Sequence, residues 1–92
     1  MLGLLGIAKR DLLVTVFKAE WEDVRIRIRY ELDRLTDGEF AHLIVESVKK
    51  EPLPISGSGH RYYWVAVHVV EAHGGPVALV MKWLEEARRP PA

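Results

Sequence analysis

Four histidines, His42, His60, His68 and His73, are the side chains best suited to proton transfer or metal binding near neutral pH. Their spacing fits no recognised ligand pattern, and His68 and His73 would fall on opposite faces of an extended strand. Gly57-Ser58-Gly59 lacks both the lysine and the following helix of a phosphate-binding loop, so it reads as a turn. No pair of carboxylates stands out for acid–base work. Cysteine is absent, which removes thiol catalysis, thiolate metal sites and disulfides together. The expectation is a chain with no catalytic residue, no metal, no cofactor and no enzyme activity.

What remains is recognition chemistry. "VRIRIRYEL", Val24 to Leu32, places Arg25, Arg27 and Arg29 at every second position, and "HRYYWVAVHVV", His60 to Val70, supplies Tyr62, Trp64 and His68 at the same spacing. Whether these groups meet depends on the elements that carry them.

As a strand, Val24, Ile26, Ile28, Tyr30 and Leu32 point one way and the three arginines the other, without exception. As a helix, Phe17, Trp21, Val24, Ile28, Leu32 and Leu35 form a stripe with favourable Asp23/Arg27 and Arg27/Glu31 pairs. A helix from Leu12 to Leu35 would be roughly 36 Å long at about 1.5 Å per residue, against about 30 Å for a compact domain of this size. The strand is preferred, with "DLLVTVFKAEW" as a further strand or a short helix before it. A mostly α chain with a long N-terminal helix is the alternative.

"LTDGEFAHLIVESVKK" carries Thr36 and Glu39 at capping-box spacing and Leu35 and Phe40 at the staple positions, followed by Phe40, Leu43, Ile44, Ser47 and Val48 at helical spacing. A helix from about Asp37 to Lys50 is expected, with an Asp37-Gly38 hairpin turn as the rival reading. "EPLPISGSGH" is a loop or a short edge strand. "HRYYWVAVHVV" is a β-prone strand, placed at the centre of the sheet. Pro76 after "HGG" opens a last helix with Val77, Val80, Met81 and Leu84 on one face.

The expected fold is therefore α+β, a small antiparallel sheet of three to four strands with two helices packed on one face. Residues 1–92 form a single domain, with residues 24–89 as core and 1–23 contributing an extra strand or helix. If Val65, Val67 and Val69 face the helices, Tyr62, Trp64, Ala66 and His68 share the open face with Arg25, Arg27 and Arg29. Three readings of that face stand open. It is a protein interface, where Arg, Tyr and Trp are enriched; a solvated arginine ladder balanced by Glu31 and Asp33; or a platform for single-stranded RNA.

Thirteen basic residues balance thirteen acidic ones, so no overall field attracts nucleic acid or anionic lipid. A 92-residue chain buries only roughly 60–68% of its unfolded surface, which makes a homodimer or a protein partner plausible from size alone. Lys9 and Arg10 follow the apolar run of "MLGLLGIAKR" where a secretory signal would have them in front. "YYWVAVHVV" falls short of the roughly twenty residues that span a bilayer as a helix. A cytoplasmic protein without membrane contact is expected.

"VRIRIRYEL", "TDGEFAHLIVESVKKE", "HRYYWVAVHVVEA" and "PVALVMKWLEEARR" together resemble the Pcc1 family, the small dimer-forming subunit of the KEOPS tRNA-modification complex. The likeness covers about three quarters of the chain, and "KWLEEA" is its nearest textual echo of that family's last helix. The resemblance implies an accessory subunit that dimerises, binds a catalytic partner and helps to hold tRNA. The residues themselves imply a small module with an arginine-bearing sheet face, and a purely structural oligomerising protein without an RNA role is the competing class.

Overall fold

A computed structural model describes residues 14–88. The order is β1 (Val14–Trp21), β2 (Val24–Leu32), a 3-10 turn (Arg34–Thr36), β3 (Phe40–Ser47), β4 (His60–Ala66), α1 (Val67–Ala72) and α2 (Pro76–Arg88). The four strands form one antiparallel sheet in the order β1-β2-β3-β4. This is the expected α+β arrangement, and Val14–Trp21 is a strand of the sheet rather than part of a long helix.

The alternation of β2 sets the layers. Ile26 and Ile28 are fully buried while Arg25, Arg27 and Arg29 are exposed. Leu43 and Val45 of β3 lie beside them, and Val80 and Leu84 of α2 close over the same face, with Leu53 from the loop filling the margin. The β1–β2 turn uses Glu22 and Asp23 at φ 47° and 69°, the left-handed pair a two-residue hairpin requires. Arg88 at the end of α2 holds this turn through Glu22 at 2.9 Å, and Glu85 accepts the Trp21 indole N–H at 3.1 Å.

The expected helix over Asp37–Lys50 is a strand instead. Asp33 Oδ1 accepts from the Leu35 amide at 2.8 Å, and Thr36 Oγ1 accepts from the Phe40 amide at 3.1 Å. Thr36 thus caps a turn rather than a helix. Asp37 and Gly38 are left-handed at φ 54° and 79°, and the Asp33 amide donates to the Phe40 carbonyl at 2.9 Å, which closes a hairpin. Ala41, Leu43, Val45 and Ser47 then face inward at strand spacing. The two-residue period prevails because β2, buried on one face, needs a hydrogen-bonded neighbour on each edge.

Two further corrections follow from the C-terminal half. β4 is an edge strand, not a central one. It also stops at Ala66, so Val67, His68 and Val69 belong to α1, where Val70 is the buried residue and Val69 is exposed. Gly74 and Gly75, at φ 93° and 112°, then reverse the chain into α2. The two helices exist, but the first is Val67–Ala72. The segment 51–59 is a loop with one bridge between Leu53 and Ser56.

That loop is anchored by Ser47, whose amide donates to the Gly59 carbonyl at 2.7 Å and whose hydroxyl donates to the Glu51 carbonyl at 2.7 Å. Gly59 is left-handed, at φ 77°, and a Cβ there would overlap both the Ser47 hydroxyl and the Glu51 carbonyl. Gly59→Ala is expected to cost about 2 kcal/mol or more in urea unfolding, through backbone strain and the lost anchor.

Tyr30 lies on the covered face, and its hydroxyl is buried without a hydrogen-bond partner among the described residues. Burial, with Glu71 close by, raises the Tyr30 phenol above its ordinary value; burial does the same for Tyr63, partly offset by Arg61. A phenol whose folded pKa is raised keeps its proton longer in the folded state. Its contribution is therefore intact below about pH 10 and is lost as pH climbs through the raised folded value. Tyr30→Phe is expected to gain about 1 kcal/mol at neutral pH by removing an unsatisfied hydroxyl. The same variant should lose stability less steeply than wild type when melting curves are recorded above pH 10.

Candidate functional site

Helices cover one face of the sheet, and the other is open. Strand register arranges that open face in rows across the strands. Val14, Glu31, His42 and Trp64 form one row; Val16, Arg29, Ile44 and Tyr62 the next; Lys18, Arg27, Glu46 and His60 the third. Tyr62 and Trp64, on the β4 edge, are 48% and 47% exposed, and Val16, on the opposite β1 edge, is 51% exposed, so both edges of the face offer apolar surface to solvent.

The aromatic end of this face is ordered by contacts among its own side chains. Phe40 and Trp64 stack with centroids 5.4 Å apart and planes inclined by 10°, and His42 meets the edge of Trp64 at 4.9 Å. His42 Nε2 lies 3.4 Å from the buried Asp33 carboxylate, and its Nδ1 is hydrogen-bonded to the Tyr62 hydroxyl. The Nδ1–Tyr62 contact is the hydrogen bond of this cluster, and Nε2 stands within electrostatic reach of Asp33. This Asp33–His42–Tyr62 chain fixes the rings in place. Such a chain serves acid–base chemistry only where a substrate can be enclosed beside it. Here Tyr62 and Trp64 stand nearly half exposed on the flat of a sheet.

The charged end is balanced. Arg27 pairs with Glu46, directly opposite, at 3.0 Å, and Arg29 is 4.0 Å from Glu31. Arg25 lies opposite Glu20. Four cations (Lys18, Arg25, Arg27 and Arg29) are therefore interleaved with Glu20, Glu31 and Glu46 on one face. These exposed pairs each contribute at most about 1 kcal/mol. Their consequence is that the patch has little excess positive charge. A hollow of about 550 Å³, open to solvent, is bordered by Lys18, Glu20, Arg25, Arg27 and Val48.

Of the residues picked from the sequence, Arg25, Arg27, Arg29, Tyr62 and Trp64 do share this face. His68 does not join them, because the chain turns helical at Val67 and carries it away as an exposed residue of α1. Phe40, His42 and Ile44 were missed. Their membership follows from β3 being a strand, and the alternation Phe40, His42, Ile44, Glu46 was the signal that could have found them. No cluster of three or more metal-ligating side chains occurs among the described residues. No helix among them is long and apolar enough to cross a membrane.

Residues 14–92, all but the first thirteen of the chain, match the family model described as the KlcB third domain. No curated protein and no solved structure matches the chain.

His42→Ala removes the link between Asp33 and Tyr62. It is expected to lower stability by about 1 kcal/mol in chemical denaturation, from the lost Tyr62 hydrogen bond and ring contacts. Tyr62→Phe, which keeps the ring, should cost about 1 kcal/mol or less.

Proposed function

The chain belongs to the KlcB third-domain family, and we propose that it is a non-catalytic association module that binds a protein partner through the open face of its sheet. One observation carries this reading: half-exposed Tyr62 and Trp64 form an ordered aromatic patch at the β4 edge of the open face, beside arginines whose charge is offset by carboxylates on the same face. Such surfaces suit protein partners, because pre-ordered aromatic anchors lose little freedom on binding and interleaved charges of both signs select a complementary surface. The family is described as a third domain. A domain that stands beside others has ready neighbours for such a face.

The RNA reading draws on the same arginines and rings, and with it the tRNA-assisting role implied by the resemblance to the Pcc1 family. Counterion release scales with phosphates neutralised, and an arginine already paired with a carboxylate contributes less to it. Arg27 is such a residue. Protein recognition is therefore the favoured reading, in the role of an accessory subunit that also self-associates.

The test compares affinity capture by wild type, by Tyr62→Ser/Trp64→Ser, and by Arg25→Ser/Arg27→Ser/Arg29→Ser, each first shown to melt like wild type. The expected result is one protein held by wild type through RNase treatment and lost from both variants. Equal capture by all three contradicts the proposal. A tRNA titration whose affinity falls about 10-fold or more between 50 and 200 mM salt, and vanishes in the arginine variant, would transfer the face to RNA.

A further inference from the structure

β1 is the end strand of the sheet and, among the described residues, has a partner on one side only. The direction of its free groups follows from the ladder. Asp33 and Arg25 of the β2 line bond to Phe40 and Val48 of the β3 line. Odd-numbered residues of β2 therefore face β3, and the even-numbered ones bond to odd-numbered partners in β1. The N–H and C=O groups of Val14, Val16, Lys18 and Glu20 are left pointing off the edge. The ladder has no proline and no bulge along β1, and such an edge is a template for another strand.

We infer that β1 pairs antiparallel with β1 of a second copy of this chain, joining two four-stranded sheets into one. Twofold pairing brings even residues opposite even residues, and charge then narrows the register. With Lys18 or Glu20 on the axis, like charges stand directly opposite, which is unfavourable. With Ala19 on the axis, Lys18 lies opposite the partner's Glu20, twice over. The same register sets Phe17 opposite the partner's Trp21 on the helix-covered face. Phe17, Ala19 and Trp21 are all only partly buried in the single chain. With Phe17 on the axis the ladder is longer, but Lys18 and Glu20 meet Val16 and Val14. The Ala19 register alone matches opposite charges on one face and apolar groups on the other.

This inference does not rest on the open-face reading, since it uses edge backbone groups rather than Tyr62 and Trp64. The test is light scattering of the full chain over a concentration series, with hydrogen exchange at single amides. A concentration-dependent dimer is expected, with the Lys18 and Glu20 amides slowed as it forms. Lys18→Glu and Glu20→Lys should each weaken the dimer about 10-fold or more, and the double exchange Lys18→Glu/Glu20→Lys should restore it. Lys18→Pro removes an edge donor that no bond among the described residues uses, so it should give a folded monomer by circular dichroism. A wild type that stays monomeric overturns the proposal, whether or not its edge amides are protected. So does a dimer that ignores every β1 variant, and if Tyr62→Ser/Trp64→Ser disperses that dimer, self-association belongs to the open face instead.

Discussion

The structure depends on one constraint: β2 has an apolar side and a charged, arginine-rich side, and it can satisfy both only as an internal strand. Ile26 and Ile28 are buried to exclusion of solvent, while Arg25, Arg27 and Arg29 remain wet. A one-residue slip against either neighbour would exchange the two sets. The guanidinium groups would then enter the core. Hydrogen bonds to β1 and β3 hold that register, and the helices need only cover the side that the alternation has already defined.

Covering one side leaves the other as the functional resource. The open face is not greasy throughout, as an unfinished core would be. An aromatic patch at its β4 edge is held by the His42–Tyr62 hydrogen bond and the Phe40–Trp64 stack, and its cations are interleaved with Glu20, Glu31 and Glu46. That combination is what the proposed partner-binding reading draws on. It also ties function to fold, because the buried Asp33 carboxylate both caps the β2–β3 turn and steadies the histidine that holds Tyr62.

Part of this was legible in the residues. "VRIRIRYEL" alternates without exception, whereas the rival helical stripe leaves Ile26 and Tyr30 off its face, so the strand, its faces and the shared arginine–aromatic surface could be read from it. β3 fits two periods. Phe40, Leu43, Ile44, Ser47 and Val48 make a helical stripe, and Ala41, Leu43, Val45 and Ser47 make a strand face; the choice lies in the pairing with β2, not in the segment. Thr36 and Glu39 carried a helix signal, but the structure uses Thr36 to cap a turn. The run of valines after Trp64 hid the change from strand to helix at Val67, which misplaced His68. His42 and Asp33 could not be joined to Tyr62 without the register of three strands.

The most direct measurement is a set of cross-strand nuclear Overhauser contacts between β2 and β3. In the pairing described, Ile28 and Val45 face each other as a non-hydrogen-bonded pair, with Cα atoms about 4.5 Å apart. A strong contact between their Hα protons is expected, with a second between Tyr30 and Leu43 and extended chemical shifts throughout Phe40–Ser47. Sequential amide contacts and spacing of three residues over that segment would show a helix there, and both the open face and its proposed partner would then be lost.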